Sequence, residues 1–171
     1  AVSYDLNTNT TISQTSTQNS IEVLDSVGGG SGSYSGAITI NLAAGVNLTG
    51  QTVTGTTPWA IFTSKQASNP WVRFSDSGVT SSLTLNGNNQ ITGVVGWNVD
   101  YGASNANSAD PLDVITVNNA GNVFNSAVYA NNINLNSGST VQFLGDVNGT
   151  SGTSLNYQGS NSAVTIGAGV T

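Results

Sequence analysis

The chain has 171 residues, 2 Lys or Arg against 8 Asp or Glu, a formal charge of -6, and no Cys, His or Met. Disulfides, thiolate or imidazole metal sites and histidine bases are thereby excluded. With Lys65 and Arg73 as its only bases, the chain lacks the cationic face that nucleic acids or anionic lipid surfaces require. Ser, Thr, Asn and Gln make up 74 of the residues and charged types 6 %, so solubility rests on hydroxyls and amides rather than ions, unlike a usual cytosolic surface.

Ala1 to Leu6 alternates Val2, Tyr4 and Leu6 with polar neighbours, which predicts a strand at an edge or cap. The polar stretch that follows and the Gly/Ser run 26–36 predict a flexible loop, so residues 1–36 are read as an N-terminal cap with its loop and 37–171 as the main segment. From there apolar residues recur with period 2: Ile38-Thr39-Ile40-Asn41, Leu83-Thr84-Leu85-Asn86, Ile115-Thr116-Val117-Asn118, Ile133-Asn134-Leu135-Asn136 and Leu155-Asn156-Tyr157-Gln158. In each, the first and third side chains face a core and the intervening Thr or Asn faces solvent. No stretch carries a helical stripe.

These five units share one pattern, and a Gly follows each within a few residues, at Gly45, Gly87, Gly121, Gly138 and Gly159. Their first residues are 45, 32, 18 and 22 apart. The last two intervals fit one rung of a solenoid, of about 20 residues. The longer two fit either two rungs or one rung with an insertion. Asn and Gly at the corners suit tight turns, and Asn there can stack into amide ladders between rungs. The fold class expected is all-β, a parallel β-helix or β-solenoid with loop excursions; a β-sandwich is the alternative.

Between Pro58 and Trp71 the rhythm breaks, with two Pro, two Trp and Lys65, and Arg73 just beyond. Excursions on a regular scaffold commonly carry binding surfaces, so Trp59, Lys65, Trp71 and Arg73 are the candidate ligand contacts. Burial of Trp59, Trp71 and Trp97 in the scaffold is the competing reading. Asp100, Asp110 and Asp113, with Asn105 and Asn107, offer the hard oxygen donors of a calcium site, but neither an EF-hand nor a Gly-Gly-x-Gly-x-Asp repeat is present and a solvated loop is the simpler reading. Asp110 and Asp113 are also the nearest approach to a hydrolase carboxylate pair. Their spacing gives no acid–base environment, so no catalytic residue, metal or cofactor is assigned. Outward Thr39, Thr84, Thr116 and Thr165 suggest an ice-binding face, against which stand Asn134, Asn156 and the irregular intervals.

No run of about 18 apolar residues could span a bilayer. Alternation continues to Ala163–Ile166, close to Thr171, so a segment of a longer exported protein is expected. Residues 134–149, Asn-Leu-Asn-Ser-Gly-Ser-Thr-Val-Gln-Phe-Leu-Gly-Asp-Val-Asn-Gly, resemble repeats of autotransporter passenger domains, in particular the rickettsial surface-antigen group of large outer membrane proteins A and B. The resemblance covers residues 112–171 and weakens before them; the Trp residues near the N-terminal half depart from it. It implies a passenger held at the bacterial cell surface by a C-terminal β-barrel. Such a passenger acts as an adhesin on a host or neighbouring cell's surface protein or glycan, or as a self-associating surface-layer module, and is not an enzyme.

Overall fold

A computed structural model of the chain describes residues 2–12, 32–50, 59–63, 72–98 and 111–171. Among these the chain is all-β, with 16 strands and no helix. The strands are β1 (Val2–Leu6), β2 (Thr10–Ile12), β3 (Gly32–Leu42), β4 (Leu48–Gly50), β5 (Trp59–Thr63), β6 (Val72–Leu85), β7 (Gln90–Thr92) and β8 (Val94–Asn98). They continue as β9 (Val114–Val117), β10 (Asn122–Phe124), β11 (Val128–Tyr129), β12 (Asn132–Leu135), β13 (Thr140–Phe143), β14 (Val147–Asn148), β15 (Ser154–Tyr157) and β16 (Ala163–Ile166).

Successive strands go to successive sheets. The first sheet is ordered β1-β3-β6-β9-β12-β15, the second β2-β4-β7-β10-β13-β16 and the third β5-β8-β11-β14. Every ladder between them is parallel. Parallel neighbours need a crossover. From β3 onward the strands of the other two sheets supply it, so that each strand of the first sheet returns beside its predecessor. An antiparallel sandwich is not what these ladders build.

The period-2 pattern forms these strands because one face of each sheet is buried and the other is wet. In the first sheet Ile40, Leu83, Ile115 and Ile133 stand in register, as do Leu42, Leu85, Val117 and Leu135, and all eight are fully buried. The second sheet contributes Leu48, Ile91, Phe124 and Phe143, the two Phe rings stacked with centroids 5.4 Å apart. Val95 and Val128 close the core from the third.

One detail differs from the sequence reading, and one alternative it left open is decided. Ile40, not Ile38, stands opposite Leu83, so the first unit is Ile40-Asn41-Leu42; a shift of two residues preserves which side chains face inward. Of the two readings left open for the long intervals, the first sheet shows one rung each, since β6 lies beside β3 and β9 beside β6. The strand β3 also reaches back to Gly32, into the Gly/Ser run.

At the corner between the first two sheets the expected amide ladder is present. Asn86 Nδ2 donates to the Leu42 carbonyl (2.9 Å), Asn118 Nδ2 to Asn86 Oδ1 (3.1 Å) and Asn136 Nδ2 to Asn118 Oδ1. Behind it Asn89 is fully buried and uses both ends of its amide. Its Oδ1 accepts from the amides of Asn86 and Gly87, and its Nδ2 donates to the carbonyls of Ala43 (2.8 Å) and Val46 (2.7 Å). One turn of chain later, Asn122 donates to the carbonyls of Asn119 and Thr140 while its buried Oδ1 has no partner. Gly121, at φ +86°, completes this corner: a Cβ there would fall 2.3 Å from Asn88 Oδ1.

Two stability predictions follow from the register. Val117→Asp would strand a charge in the core and is expected to cost several kcal/mol, while Thr116→Asp on the outer face costs less than about 1 kcal/mol. Equal denaturant midpoints would contradict the register. Asn89→Ala, which takes the side-chain partner from four backbone groups and leaves the Ala43 carbonyl only the Val46 N–H, is expected to lower the midpoint well below that of Asn122→Ala, where a buried oxygen without a partner is also removed.

Candidate functional site

The residues singled out in the sequence fall at the junctions between the stack and its insertions. Trp59 opens β5, with its backbone in register with Val94 of β8. Arg73 lies in the first part of β6, in register with Ser33. Both therefore belong to scaffold strands at the two ends of the insertion, while Lys65 and Trp71 lie outside the described residues. Trp97 is on β8. The alternating register that places β5 and the first half of β6 is interrupted, at Trp59/Ile61, Ile61/Thr63 and Tyr34/Gly36, so this insertion is flanked by the least regular pairing of the stack.

Of the acidic candidates, Asp100 and Asp110 lie outside the described residues and Asp113 lies just before β9. Asp113 is engaged as a clasp between rungs. Its Oδ2 accepts the Ser81 backbone N–H at 2.8 Å, and its own N–H donates to the Ser81 carbonyl at 3.1 Å. The Asp113 carbonyl in turn accepts from Asn132 Nδ2 in the next rung (3.1 Å). A carboxylate that holds a backbone amide in this way fixes where the long 99–113 connection re-enters the first sheet. Sequence reasoning missed this role because its partner, Ser81, is 32 residues away and carries no pattern that marks it.

The four outward threonines do not form one rank. Thr84 and Thr116 share a column with Asp5, Asn41, Asn134 and Asn156, whereas Thr39 is in the adjacent column opposite Ser82 and Thr165 is on β16 of the second sheet. The shared column is instead an uncharged amide and hydroxyl row closed at one end by a carboxylate. Asn41 Nδ2 donates to Asp5 Oδ1 (2.8 Å) and Asn156 Nδ2 to Asn134 Oδ1 (3.0 Å). Such a row ties rungs together and leaves an outer surface able to exchange hydrogen bonds with hydroxyl-rich partners.

Among the described residues no group of three or more acidic side chains is gathered to hold a metal ion. No protein-family model, no curated protein and no solved structure matches the chain.

If Asp113 is a clasp, Asp113→Ala should lower the unfolding free energy by about 1–3 kcal/mol, and Asp113→Asn, which keeps an acceptor oxygen, by clearly less. Chemical denaturation of the parent and both variants with and without calcium decides the matter. A calcium-dependent gain in the parent that both variants lose would assign Asp113 to a metal site instead.

Proposed function

We propose that the chain is a parallel β-helical segment of an exported bacterial surface protein of the autotransporter passenger type, and that it presents inserted loops to a protein or glycan on a host or neighbouring cell. The observation that carries the reading is that the buried column of the first sheet keeps its register across the long insertions, the irregular pairing being confined to β5 and the first half of β6. Leu83 stands beside Ile40, and Ile115 beside Leu83, although 43 and 32 residues separate them in the chain. A scaffold that absorbs such lengths at one rung each is suited to display.

Chemistry supports the same reading. The surface is built from amides and hydroxyls, with few charges to attract nonspecific polyions, and the sole cations sit in or beside the Pro58–Arg73 insertion with two of the three Trp. Trp and Arg are enriched at the energetic centres of protein interfaces. Of the candidate acidic pair, Asp113 holds the Ser81 backbone amide, and Asp110 lies outside the described residues.

Binding of the labelled chain to cultured cells, compared with a Lys65→Ala/Arg73→Ala variant, tests the proposal. On this reading the two cations serve contact rather than folding, so the variant should keep the parent's thermal midpoint and lose most of its cell binding. Undiminished binding would remove the cationic loop from the contact, and a large drop in thermal midpoint would give these residues a structural role.

A further inference from the structure

Asn89 and Asn122 follow one another in an inward column of the second sheet. Asn89 precedes Gln90, the register partner of Val123, so it stands one rung before Asn122, and the column goes on to Val141 and Val164. Both Asn are buried, 0 % and 1 % exposed. An amide placed in an apolar column needs a partner for each polar atom. Asn89 finds all of its partners in the chain, whereas Asn122 Oδ1 finds none. The site lies inside the stack, with β7 on one side of β10 and β13 on the other, away from both ends of the chain.

The corners explain the difference. Asn86 and Asn89 are three residues apart, and the N–H groups of Asn86 and Gly87 turn in on Asn89 Oδ1 at 3.0 and 3.1 Å. Asn118 and Asn122 are four apart, with Gly121, at φ +86°, between them. In that longer corner the donors go elsewhere: the Asn118 N–H to the Leu85 carbonyl and the Gly121 N–H to Thr140 Oγ1, both at 2.8 Å. Asn122 turns its Nδ2 to the carbonyls of Asn119 (3.0 Å) and Thr140 (3.1 Å), with that of Asn118 at 3.5 Å. Turning the amide over would set its oxygen against three carbonyls that cannot donate. The orientation is therefore fixed, and Oδ1 is held away from every donor of the chain.

We infer that one water molecule is bound in this corner, donating a hydrogen to Asn122 Oδ1 as a fixed part of the fold. The ligand must be a donor or a cation, because an amide oxygen only accepts. A cation is the poorer fit. Ca²⁺ gathers about 6–8 oxygens, and the carbonyls that could join Oδ1 around an ion, those of Asn119 and Thr140, are held by the Nδ2 of the same amide. Among the described residues no group of three or more acidic side chains supplies further ligands. Water asks for less, since a buried water typically makes about three hydrogen bonds to groups the protein leaves unpaired. Its other hydrogen can go to the second lone pair of a corner carbonyl. The inference concerns the scaffold and does not rest on the insertions binding a cell surface.

Magnetic resonance of the isotope-labelled parent tests it. Protons of the Asn122 side chain should show a cross-peak at the water frequency, with the relative sign in laboratory and rotating frames that marks a long-lived dipolar contact rather than proton exchange. Asn122→Leu, which keeps the volume and removes the acceptor, should lose water cross-peaks at position 122 while the Asn89 side-chain amide signals stay in place. The parent's thermal midpoint should be the same in sodium, potassium and calcium chloride at equal ionic strength. A parent without the cross-peak overturns the inference, whether or not the variant folds. A folded Asn122→Leu that retains it also overturns the inference, by placing the water on other groups. A rise in midpoint with one cation that Asn122→Leu loses overturns it in favour of a bound ion.

Discussion

The whole structure depends on one constraint: each inward apolar side chain must sit on another of similar size one rung away. Strands this short bury too little by themselves to hold together. Ile40, Leu83, Ile115 and Ile133 succeed because parallel register repeats the same contact, and a slip of one residue would turn every one of them out to water. The core is therefore a set of columns rather than a centre. Its dispersion and hydrophobic terms accumulate rung by rung.

Corners place a second demand on the chain, because every tight turn between sheets carries backbone amides and carbonyls that must find partners away from bulk water. Asn answers it twice over. At Asn86, Asn118 and Asn136 the side chains link one corner to the next, and at Asn89 a single buried amide satisfies four backbone groups. The abundance of Asn is thus part of how rungs are joined, in a molecule with almost no ions to do so. Close stacking of the corners has its own cost in side-chain space: at Gly145 a Cβ would fall 2.3 Å from the Ser126 carbonyl carbon, so the chain can pass there only without one.

Function, on this reading, is attached to the scaffold's tolerance. A connection can lengthen so long as the chain re-enters the first sheet in register, and the Asp113 clasp on Ser81 shows how re-entry is secured after the 99–113 connection. The same carboxylate that looks like a ligand in the sequence is occupied in holding a backbone amide. Trp59 and Arg73 likewise belong to paired strands, β5 and β6, on either side of their insertion.

Alternation determined the all-β class and the strands of the first sheet, because a side-chain period of 2 has no other regular backbone to fit, whereas most of the short strands of the second and third sheets were not legible in it. The Asn and Gly spacing also determined where corners fall and that amides would ladder across them. What only the tertiary structure decided was pairing. Whether Ile38 or Ile40 meets Leu83 is invisible to a pattern that repeats every two residues, since both choices bury the same face. So too with the intervals of 32 and more: a sequence cannot distinguish an inserted loop from a missing rung, and the distinction is made by which strand lies alongside. The clasp between Asp113 and Ser81 belongs to the same class of fact, set by what the neighbouring rung supplies.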